Sequence, residues 1–439
     1  MMTGRKRGHY MKNNKPTVVI MAGGFGTRIA SINSEVPKPM IEINGYPILY
    51  HQIENLKQYD LDDIIMVVGY KADKIIDYFK DGKCFGVNIR YVIEKEPLGT
   101  AGSFYYLKNM IKSDYFILLN GDIIFNIDFD RFIAYFNNSN SLACICTHPN
   151  SHPFDSSLIV TDANNNVTSW LGRKKRPLFY QNQVNAGIHI LRSKLLDIVK
   201  EPVKTNLDND ILKPLVENGE LLAYKTPEYI KDMGTPERYY QVSDDLAKGL
   251  DVQKSLATKQ KAAFLDRDGT INKYVGFLRN IDDFELRPNV SQAIKLLNEK
   301  GYLVIIITNQ PVIARGEVTE KELLNIHNKM ETLLGQDGAY VDAIYYCPHH
   351  PDSGYEGEIK ALKIKCNCRK PNTELVEKAV KDFNIDLNKS FVIGDTDIDE
   401  KLAKNLGIPF CLTNDNYDLL ECVESEFKNE KSRNLRRIN

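Results

Sequence analysis

A chain of 439 residues is too long for one ordinary hydrophobic core, so two or three domains are expected. Lys and Arg number 57 against 58 Asp and Glu, a balance that gives no reason to expect nucleic acid or an anionic membrane as a bulk partner. No apolar run approaches the roughly 20 residues that a membrane-spanning helix needs.

The N-terminal segment and the cysteines indicate the cellular compartment. Residues 1–15 are basic and polar with no apolar stretch behind them, so they are predicted to be a disordered tail and not a secretory signal. Of the eight cysteines, three cluster at Cys347, Cys366 and Cys368 beside histidines. Such a cluster favours a metal site over disulfides, and we therefore expect a reducing, cytoplasmic location.

Short apolar runs alternate with helical patterns along the whole chain. In the first half, strands are predicted over 17–21, 63–68, 88–93 and 116–119, and helices over 46–58 and 101–111. In the second half, strands are predicted over 262–265, 304–308, 343–346 and 390–393, and helices over 290–300, 320–334 and 374–383. This alternation favours an α/β class with parallel sheets, whose ligands collect at the carboxyl ends of the strands.

The pattern restarts once, which predicts two main domains. The first covers 16–245 and the second 261–420. A polar, strand-free stretch at 246–260 is typical of a linker. The last residues, 421–439, are predicted to be a charged tail, either frayed or helical.

A glycine-rich loop follows the first predicted strand. Without side chains, Gly23, Gly24 and Gly26 let the backbone close on phosphates and direct its N–H groups at them. The guanidinium of Arg28 can donate paired, charge-assisted hydrogen bonds to the β- and γ-phosphates. The loop matches neither the dinucleotide nor the Walker spacing, so its interpretation depends on three further motifs. These are Pro37-Lys38-Pro39, Glu96-Pro97-Leu98-Gly99-Thr100-Ala101-Gly102 and Asn120-Gly121-Asp122.

Together these motifs resemble those of the sugar-1-phosphate nucleotidyltransferases, over roughly residues 16–245. The resemblance implies a Rossmann-like mixed sheet and nucleotide transfer to a sugar 1-phosphate, with pyrophosphate as the leaving group. It also assigns roles to residues of this chain. The triphosphate would be held by Arg28 and Lys38, and Mg²⁺ by Asp122 and Asp232. The nucleotide would be surrounded by Ala22, Gly23, Gly24, Gly26, Thr27, Gly99 and Thr100. The sugar phosphate would be contacted by Asn185, Gly187 and either Lys175 or Lys174.

The second half carries two aspartates, two residues apart, directly after an apolar strand. Asp266 can attack phosphorus to form an aspartyl phosphate, and Asp268 can protonate the leaving alkoxide and then deprotonate water. Thr308-Asn309-Gln310 ends another strand, Arg369-Lys370-Pro371 supplies cations, and Asp395 ends a third strand.

This set resembles the haloacid dehalogenase phosphatases, over roughly residues 261–415, and implies a second, parallel-sheet domain. By that resemblance Thr308 and Lys370 bind the transferring phosphoryl group, while Asn309 and Arg369 contact phosphate or substrate. Mg²⁺ would be held by Asp266, Asp395 and the carbonyl of Asp268, with Asp399 as a weaker candidate.

The cysteine cluster narrows the resemblance. Three thiolates and one imidazole make a closed, structural zinc set. The family match selects His349 as the fourth ligand beside Cys347, Cys366 and Cys368, leaving His350 to face substrate or solvent. This pattern is similar to that of two phosphatase groups, those acting on D,D-heptose 1,7-bisphosphate and those acting on histidinol phosphate.

The fusion discriminates between these groups. Removing the 7-phosphate of heptose 1,7-bisphosphate yields heptose 1-phosphate, which a nucleotidyltransferase can accept. The first half also resembles guanylyltransferases of the D-glycero-α-D-manno-heptose pathway, so the prediction is a bifunctional enzyme that makes GDP-D-glycero-α-D-manno-heptose. Its partners would be small-molecule substrates, with no nucleic acid or membrane, and a homo-oligomer is compatible with the sequence.

Three rivals remain open from the sequence. The first is a transferase for a mannose- or glucose-type sugar, fused to a phosphatase of unrelated specificity. The second is a phosphatase acting on nucleic-acid ends, against which the balanced charge counts. The third is an inactive transferase kept for assembly, against which intact Arg28, Lys38 and Asp122 argue.

Overall fold

The computed structural model describes residues 15–24, 32, 35–173, 176–354 and 356–438, with side chains to residue 429. The predicted tail before residue 15 lies outside this range, as do the predicted site residues Gly26, Thr27, Arg28, Lys174 and Lys175. Within the described residues, no helix combines the length and the apolar character that crossing a membrane requires.

The first half of the chain builds a mixed α/β fold. Its strands are β1 Thr17–Met21, β2 Glu42–Ile43, β3 Tyr46–Pro47, β4 Asp63–Val68, β5 Asn88–Ile93, β6 Tyr115–Asn120, β7 Ile123–Asn126, β8 Ala143–His148, β9 Leu158–Thr161, β10 Val167–Leu171, β11 Val184–Arg192, β12 Leu221–Lys225 and β13 Tyr229–Asp232. Its helices are α1 Ile48–Lys57, α2 Ala72–Phe79, α3 Phe104–Leu107, α4 Phe129–Asn137, α5 Lys213–Glu217, α6 Pro236–Ala247 and α7 Leu250–Gln253.

The large sheet of this fold is mixed. Its strand order is β10-β9-β11-β6-β1-β4-β5, with β8 paired to both β11 and β12. β1 runs parallel to β4 and β6, whereas β11 runs antiparallel to β6. The parallel sheet expected from the alternation is therefore wrong for this half, and the mixed sheet implied by the family resemblance is confirmed. Val18, Val19 and Ile20 are all fully buried, and because successive side chains of a strand point to opposite faces, both faces of the sheet are covered at β1.

The helix predicted over 101–111 is much shorter in the structure, where only α3 is α-helical. The amide of Ala101 donates to the carbonyl of Thr205, which lies in a loop distant in sequence. An added Cβ on Gly102 would lie 2.3 Å from the carbonyl oxygen of Val203, so the segment packs tightly against another loop. These loop contacts displace the start of the helix.

The second half builds a five-stranded sheet that is parallel throughout. Its strand order is β16-β15-β14-β17-β18, and every neighbouring pair is parallel. The strands are β14 Ala262–Leu265, β15 Leu303–Asn309, β16 Ala343–Cys347, β17 Phe391–Gly394 and β18 Phe410–Leu412, and the helices are α8 Val290–Glu299, α9 Pro311–Ala314, α10 Glu320–Gln336, α11 Glu374–Phe383, α12 Asp397–Leu406 and α13 Leu419–Ile438. The parallel sheet predicted for this half is confirmed.

The charged tail predicted over 421–439, as either frayed or helical, lies in a helix that begins two residues earlier. α13 starts at Leu419, and Leu419, Cys422 and Val423 are buried in the core beneath the parallel sheet. The first turns of this helix have an apolar face, which the charged overall composition of 421–439 did not indicate.

The chain divides into two compact units at residues 251 and 252, a position within the predicted linker. The second unit also contains His148–Val160 and Leu171–Val184, which precede that linker by many residues. Within this unit the amide of Tyr180 donates to Thr332 Oγ1 over 2.9 Å, and the amide of Asn182 donates to Glu331 Oε2 over 3.1 Å. Both bonds end on α10, so the second unit is discontinuous in sequence.

Candidate active sites

In the first unit, the glycine loop leaves β1 along a tightly packed backbone. The amide of Ala22 donates to the carbonyl of Val67 over 2.8 Å, and Ala22 is buried. An added Cβ on Gly121 would lie 2.8 Å from the carbonyl oxygen of Met21, so the backbone after β6 closely approaches the end of β1. Of the predicted loop, Ala22, Gly23 and Gly24 are described and begin at the carboxyl end of a parallel strand.

A lysine and an aspartate face one another beside this loop. Pro37 precedes a short 3₁₀ turn that begins at Lys38, and the Lys38 side chain is almost fully buried. Its Nζ donates to Asp122 Oδ2 over 2.5 Å, although 84 residues separate the two in sequence. The structure therefore brings together two of the residues predicted for triphosphate and metal binding.

The second predicted metal ligand of this unit, Asp232, ends β13. In the antiparallel pair with β7 it lies opposite Ile123, and the amide of Met233 donates to the Asp122 carbonyl over 3.3 Å. Arg238 Nη1 donates to both Asp232 carboxylate oxygens, over 2.7 and 2.8 Å. A cation at Asp232 would thus share the carboxylate with an arginine that the sequence did not single out.

The turn at Gly99 and Thr100, which is predicted to border the nucleotide base, packs against a loop that is distant in sequence. Gly99 has a φ of +78°, and an added Cβ would lie 2.5 Å from the carbonyl oxygen of Thr205, so only glycine fits there. Thr100 Oγ1 accepts from the amide of Leu207 over 2.7 Å. Gly99 and Thr100 are therefore held in place by backbone packing and a side-chain hydrogen bond.

The predicted sugar-side residues lie on β11, beside the end of β6. Gly187 has a φ of +73°, and an added Cβ would lie 2.4 Å from Asn120 Nδ2. Asn185 Oδ1 accepts from the amide of Gly187 and from His189 Nε2, each over 3.1 Å. His189 is buried and orients Asn185, a role that the sequence analysis missed.

Acid should destabilise the fold through His189. Burial disfavours the charged imidazolium and lowers the pKa of His189 to about 4, which a backbone hydrogen bond at Leu118 only partly offsets. A lowered histidine pKa stabilises the fold above the ordinary value of about 6.5, and this contribution is lost as pH falls towards 4. In His189→Gln the drop in unfolding free energy over that range should be smaller by about 3 kcal/mol. Thermal unfolding at several pH values measures it, and parallel curves for the two proteins would contradict it.

In the second unit, three carboxylates and one lysine meet at the carboxyl edge of the parallel sheet. Lys370 Nζ donates to Asp266 Oδ1 and to Asp399 Oδ1, each over 2.6 Å. One carboxylate oxygen from each of Asp266, Asp395 and Asp399 lies within 4.8 Å of the others. Asp399, treated as the weaker candidate from the sequence, is thus a full member of this cluster.

The electrostatics of the cluster favour a bound cation. Burial raises the pKa of Asp266 to about 7, although the Lys370 ammonium opposes that rise. Burial, followed by the charge of Asp399, raises the pKa of Asp395. Asp395 Oδ1 is buried without a hydrogen-bond partner. One lysine cannot neutralise three carboxylates, so a hard divalent cation with oxygen ligands fits both the surplus charge and the unpartnered oxygen.

The side chain of Asp268 does not join the cluster. Arg267 Nη2 donates to both Asp268 carboxylate oxygens, and Gln310 Nε2 and Asn272 Nδ2 also donate to this carboxylate. Burial alone would raise the pKa of Asp268, but the Arg267 charge and these hydrogen bonds outweigh burial and lower it. The predicted proton-transfer group is therefore held as a carboxylate.

The remaining predicted residues of this site end β15 or precede α11. Thr308 is buried and its Oγ1 accepts from Gln310 Nε2 over 2.9 Å. Both ends of the Asn309 amide bond the backbone of Lys370, so Asn309 positions that lysine. Arg369 Nη1 donates to the carbonyl of His349 over 3.3 Å.

Three sulfur atoms and one imidazole nitrogen form a compact set beside this edge. The Sγ atoms of Cys347, Cys366 and Cys368 lie 3.2 to 3.5 Å apart. His349 Nδ1 lies 3.2 Å from Cys368 Sγ and 3.7 Å from Cys347 Sγ. Zn–S bonds of about 2.3 Å in a tetrahedron would separate the sulfurs by about 3.8 Å, so small shifts would accommodate zinc. The Nδ1 of His350 instead accepts from the amide of Asp352.

Comparison with protein-family models matches residues 17–249, more than half of the chain, to the family described as Nucleotidyl transferase. The chain belongs to the nucleotidyl transferase family. A second model, described as Polynucleotide kinase 3 phosphatase, matches residues 261–417. The two matches coincide with the mixed-sheet fold and the parallel-sheet fold, respectively.

Individual relatives give the same division of this nucleotidyl transferase family member. The D-glycero-beta-D-manno-heptose-1,7-bisphosphate 7-phosphatase of Haemophilus ducreyi is 42% identical over 150 residues, which are 34% of this chain and 80% of the relative. The corresponding alpha phosphatase of Photorhabdus laumondii is 40% identical over 153 residues, which are 35% of this chain and 81% of the relative. Bifunctional protein GlmU of Methanococcus maripaludis is 35% identical over 222 residues, which are 50% of this chain and 51% of the relative. The chain thus joins a nucleotidyltransferase domain to a domain of the heptose-bisphosphate phosphatase family.

Proposed function

We propose that this chain makes a nucleotide-activated heptose in two steps. The phosphatase domain removes the 7-phosphate of D-glycero-α-D-manno-heptose 1,7-bisphosphate, and the transferase domain transfers GMP from GTP to the resulting heptose 1-phosphate. The observation that carries this proposal is the presence in one chain of the Lys38–Asp122 pair and the Asp266–Lys370–Asp395–Asp399 cluster. Each set joins a lysine to carboxylates that can hold a cation, as phosphoryl chemistry requires, and the product of one step is the acceptor of the other.

In the phosphatase step, Asp266 attacks the 7-phosphorus and forms an aspartyl phosphate while the bond to the sugar oxygen breaks. Asp268, a carboxylate before substrate binds, takes one proton from solvent and gives it to the departing alkoxide. It then takes a proton from the water that hydrolyses the intermediate. Lys370 is directed at Asp266 and balances charge on the transferring phosphoryl group. Thr308 lies beside Gln310, within the same hydrogen-bond network as Asp268.

In the transferase step, an oxygen of the sugar 1-phosphate attacks the α-phosphorus and pyrophosphate leaves. Two anions must approach each other, so the site requires cations more than it requires a base. Lys38, which contacts Asp122, is proposed as one of these cations, and Arg28 as a second. Asn185 and Gly187 are proposed to contact the sugar, and Gly99 and Thr100 to border the base.

Two kinds of metal are proposed. Mg²⁺ would be held by Asp122 and Asp232 in the first domain, and by Asp266, Asp395 and Asp399 with the Asp268 carbonyl in the second. When bound, it supplies charge neutralisation to the phosphates and polarises them. Zn²⁺ would be held by Cys347, His349, Cys366 and Cys368 and would fix the loop that carries Arg369 and Lys370. A reducing, cytoplasmic location is proposed because this zinc site requires thiolates.

The purified chain should contain about one equivalent of zinc, because the four ligands form a closed set. Cys368→Ser should lose most of this zinc and release phosphate more slowly, while pyrophosphate release continues. Elemental analysis and the two assays measure these outcomes. The matched control is Cys84→Ser, which changes an exposed cysteine outside the set. Equal zinc content in the two variants would contradict the assignment.

Pyrophosphate release with D-glycero-α-D-manno-heptose 1-phosphate, Mg²⁺ and each nucleoside triphosphate in turn tests the proposed function. A strong preference for GTP supports it. Turnover with another nucleotide changes the product but keeps the heptose assignment. If mannose or glucose 1-phosphate reacts and the heptose does not, the sugar assignment is wrong.

A phosphatase acting on nucleic-acid ends is the second candidate, because the matched family model is described as Polynucleotide kinase 3 phosphatase. Phosphate release from a 3′-phosphorylated oligonucleotide, compared with release from heptose 1,7-bisphosphate, distinguishes the two. The relative identified as a heptose bisphosphatase, of which this chain covers 80%, favours the sugar substrate.

A further inference from the structure

Arg267 stands between the two catalytic aspartates and is fully buried. Its guanidinium bonds Asp268 through Nε over 3.2 Å and through Nη2 over 2.9 and 2.8 Å. Its Nη2 also donates to Gln310 Oε1 over 3.1 Å, and its Nη1 lies 3.2 Å from His327 Nε2. Every nitrogen of the guanidinium therefore has a partner, and most of the contacts hold a single carboxylate.

The partners of Arg267 are themselves fixed. Gln310 Nε2 donates to Asp268 Oδ2 over 2.8 Å and to Thr308 Oγ1 over 2.9 Å. His327 lies on α10 and is buried; burial and then the Arg267 charge lower the pKa of His327 to about 3. The imidazole is accordingly neutral, and its Nε2 can accept from Arg267 Nη1. The hydrogen-bond network runs from α10 through Arg267 to Asp268 and does not include the carboxylates of Asp266, Asp395 and Asp399.

We propose that Arg267, supported by His327, is a positioning residue that fixes the Asp268 carboxylate for proton transfer in the phosphatase reaction. The inference rests on the proposed phosphatase function. Asp268 is a carboxylate before substrate binds, so it first takes one proton from solvent. As Asp266 oxygen bonds to phosphorus and the phosphorus–alkoxide bond breaks, this proton passes from Asp268 to the departing oxygen. When water attacks the aspartyl phosphate, its proton passes to Asp268, inorganic phosphate leaves and the Asp266 carboxylate is restored.

The dependence on the leaving group tests this proposal. For a phosphoenzyme, kcat/KM covers the steps up to departure of the alcohol. A sugar alkoxide needs a proton to leave, whereas p-nitrophenolate does not. Arg267→Met should therefore lower kcat/KM for heptose 1,7-bisphosphate by about 100-fold, the size of a general-acid contribution, and for p-nitrophenyl phosphate by less than about fivefold. Asp268→Asn should show the same selectivity.

The double variant with Arg267→Met and Asp268→Asn separates positioning from general damage. If Arg267 acts through Asp268, the double variant should be no slower on the sugar substrate than Asp268→Asn alone. Lys273→Met is the matched control, because it removes an exposed charge from the same loop. Additive losses, or equal losses on both substrates, would overturn the proposal.

A milder variant covers the case in which Arg267→Met does not fold. His327→Leu keeps the Arg267 charge and removes its support from α10, so a selective loss of about tenfold on the sugar substrate is expected. Circular dichroism verifies folding, and no selective loss in folded His327→Leu would overturn the role of His327. Failure of the wild-type chain to hydrolyse either phosphate ester would instead contradict the proposed phosphatase function.

Discussion

Asp266→Asn is expected to reduce phosphate release from heptose 1,7-bisphosphate by about 10⁴-fold or more, the size seen when a catalytic nucleophile is removed. The amide has nearly the shape of the carboxylate but cannot form the aspartyl phosphate. It also removes one of the two carboxylates that Lys370 Nζ contacts. Pyrophosphate release from ready-made heptose 1-phosphate should stay within about twofold of wild type, because Asp266 lies in the other catalytic domain.

Asp397→Asn is the matched control for this experiment. Asp397 follows Asp395 by two residues, but it is exposed and pairs with Lys401. Its substitution should leave phosphate release close to wild type. Loss of both activities in Asp266→Asn would contradict the model of two separate sites, whereas retained phosphate release would show that another group is the nucleophile.

Asp122→Asn should show the reverse selectivity to Asp266→Asn, with pyrophosphate release lost and phosphate release retained. Asp122 is the partner of the nearly buried Lys38, and its amide would neither balance that charge nor bind a cation well. Pyrophosphate release should fall by about 10³-fold, the upper end of what removal of one preorganised electrostatic group costs. Phosphate release should continue at the wild-type rate, and measuring both products from one preparation checks this.

The control for Asp122→Asn is Asp244→Asn. Asp244 lies on the exposed face of α6 and pairs with Lys248 four residues later. Such surface pairs contribute little to stability or to a distant reaction, so both activities should persist. If Asp122→Asn retains pyrophosphate release, the proposed metal site of the transferase is wrong.

Strand positions followed closely from local sequence. The predicted strands 17–21, 63–68, 88–93 and 262–265 match β1, β4, β5 and β14, because short runs rich in apolar residues indicate strands. Strand direction did not follow in the same way. The antiparallel pairing of β11 with β6 depends on contacts between residues about 70 positions apart. Local patterns carry no information about such pairings.

The candidate sites were predictable to the extent that they lie in contiguous motifs. Asp266, Lys370 and Asp395 follow strands or precede helices in recognisable strings, and the structure brings Lys370 to Asp266 over 104 residues of chain. Their supporting residues were not predictable. His189, Arg238 and His327 act through partners, and an isolated histidine or arginine in a helix or strand is more often an ordinary packed residue. A capping box formed by Thr396 and Asp399 was the local signal that could have placed Asp399 at the start of a helix beside Asp395.

The discontinuous second unit has a consequence for synthesis on the ribosome. His148–Val160 and Leu171–Val184 emerge early, whereas their hydrogen-bond partners Glu331 and Thr332 emerge much later. At ordinary elongation rates this delay is on the order of ten seconds. During that interval the amides of Tyr180 and Asn182 must be satisfied by water or by temporary partners. Folding of the early segments is therefore completed only after most of the phosphatase sequence has been translated.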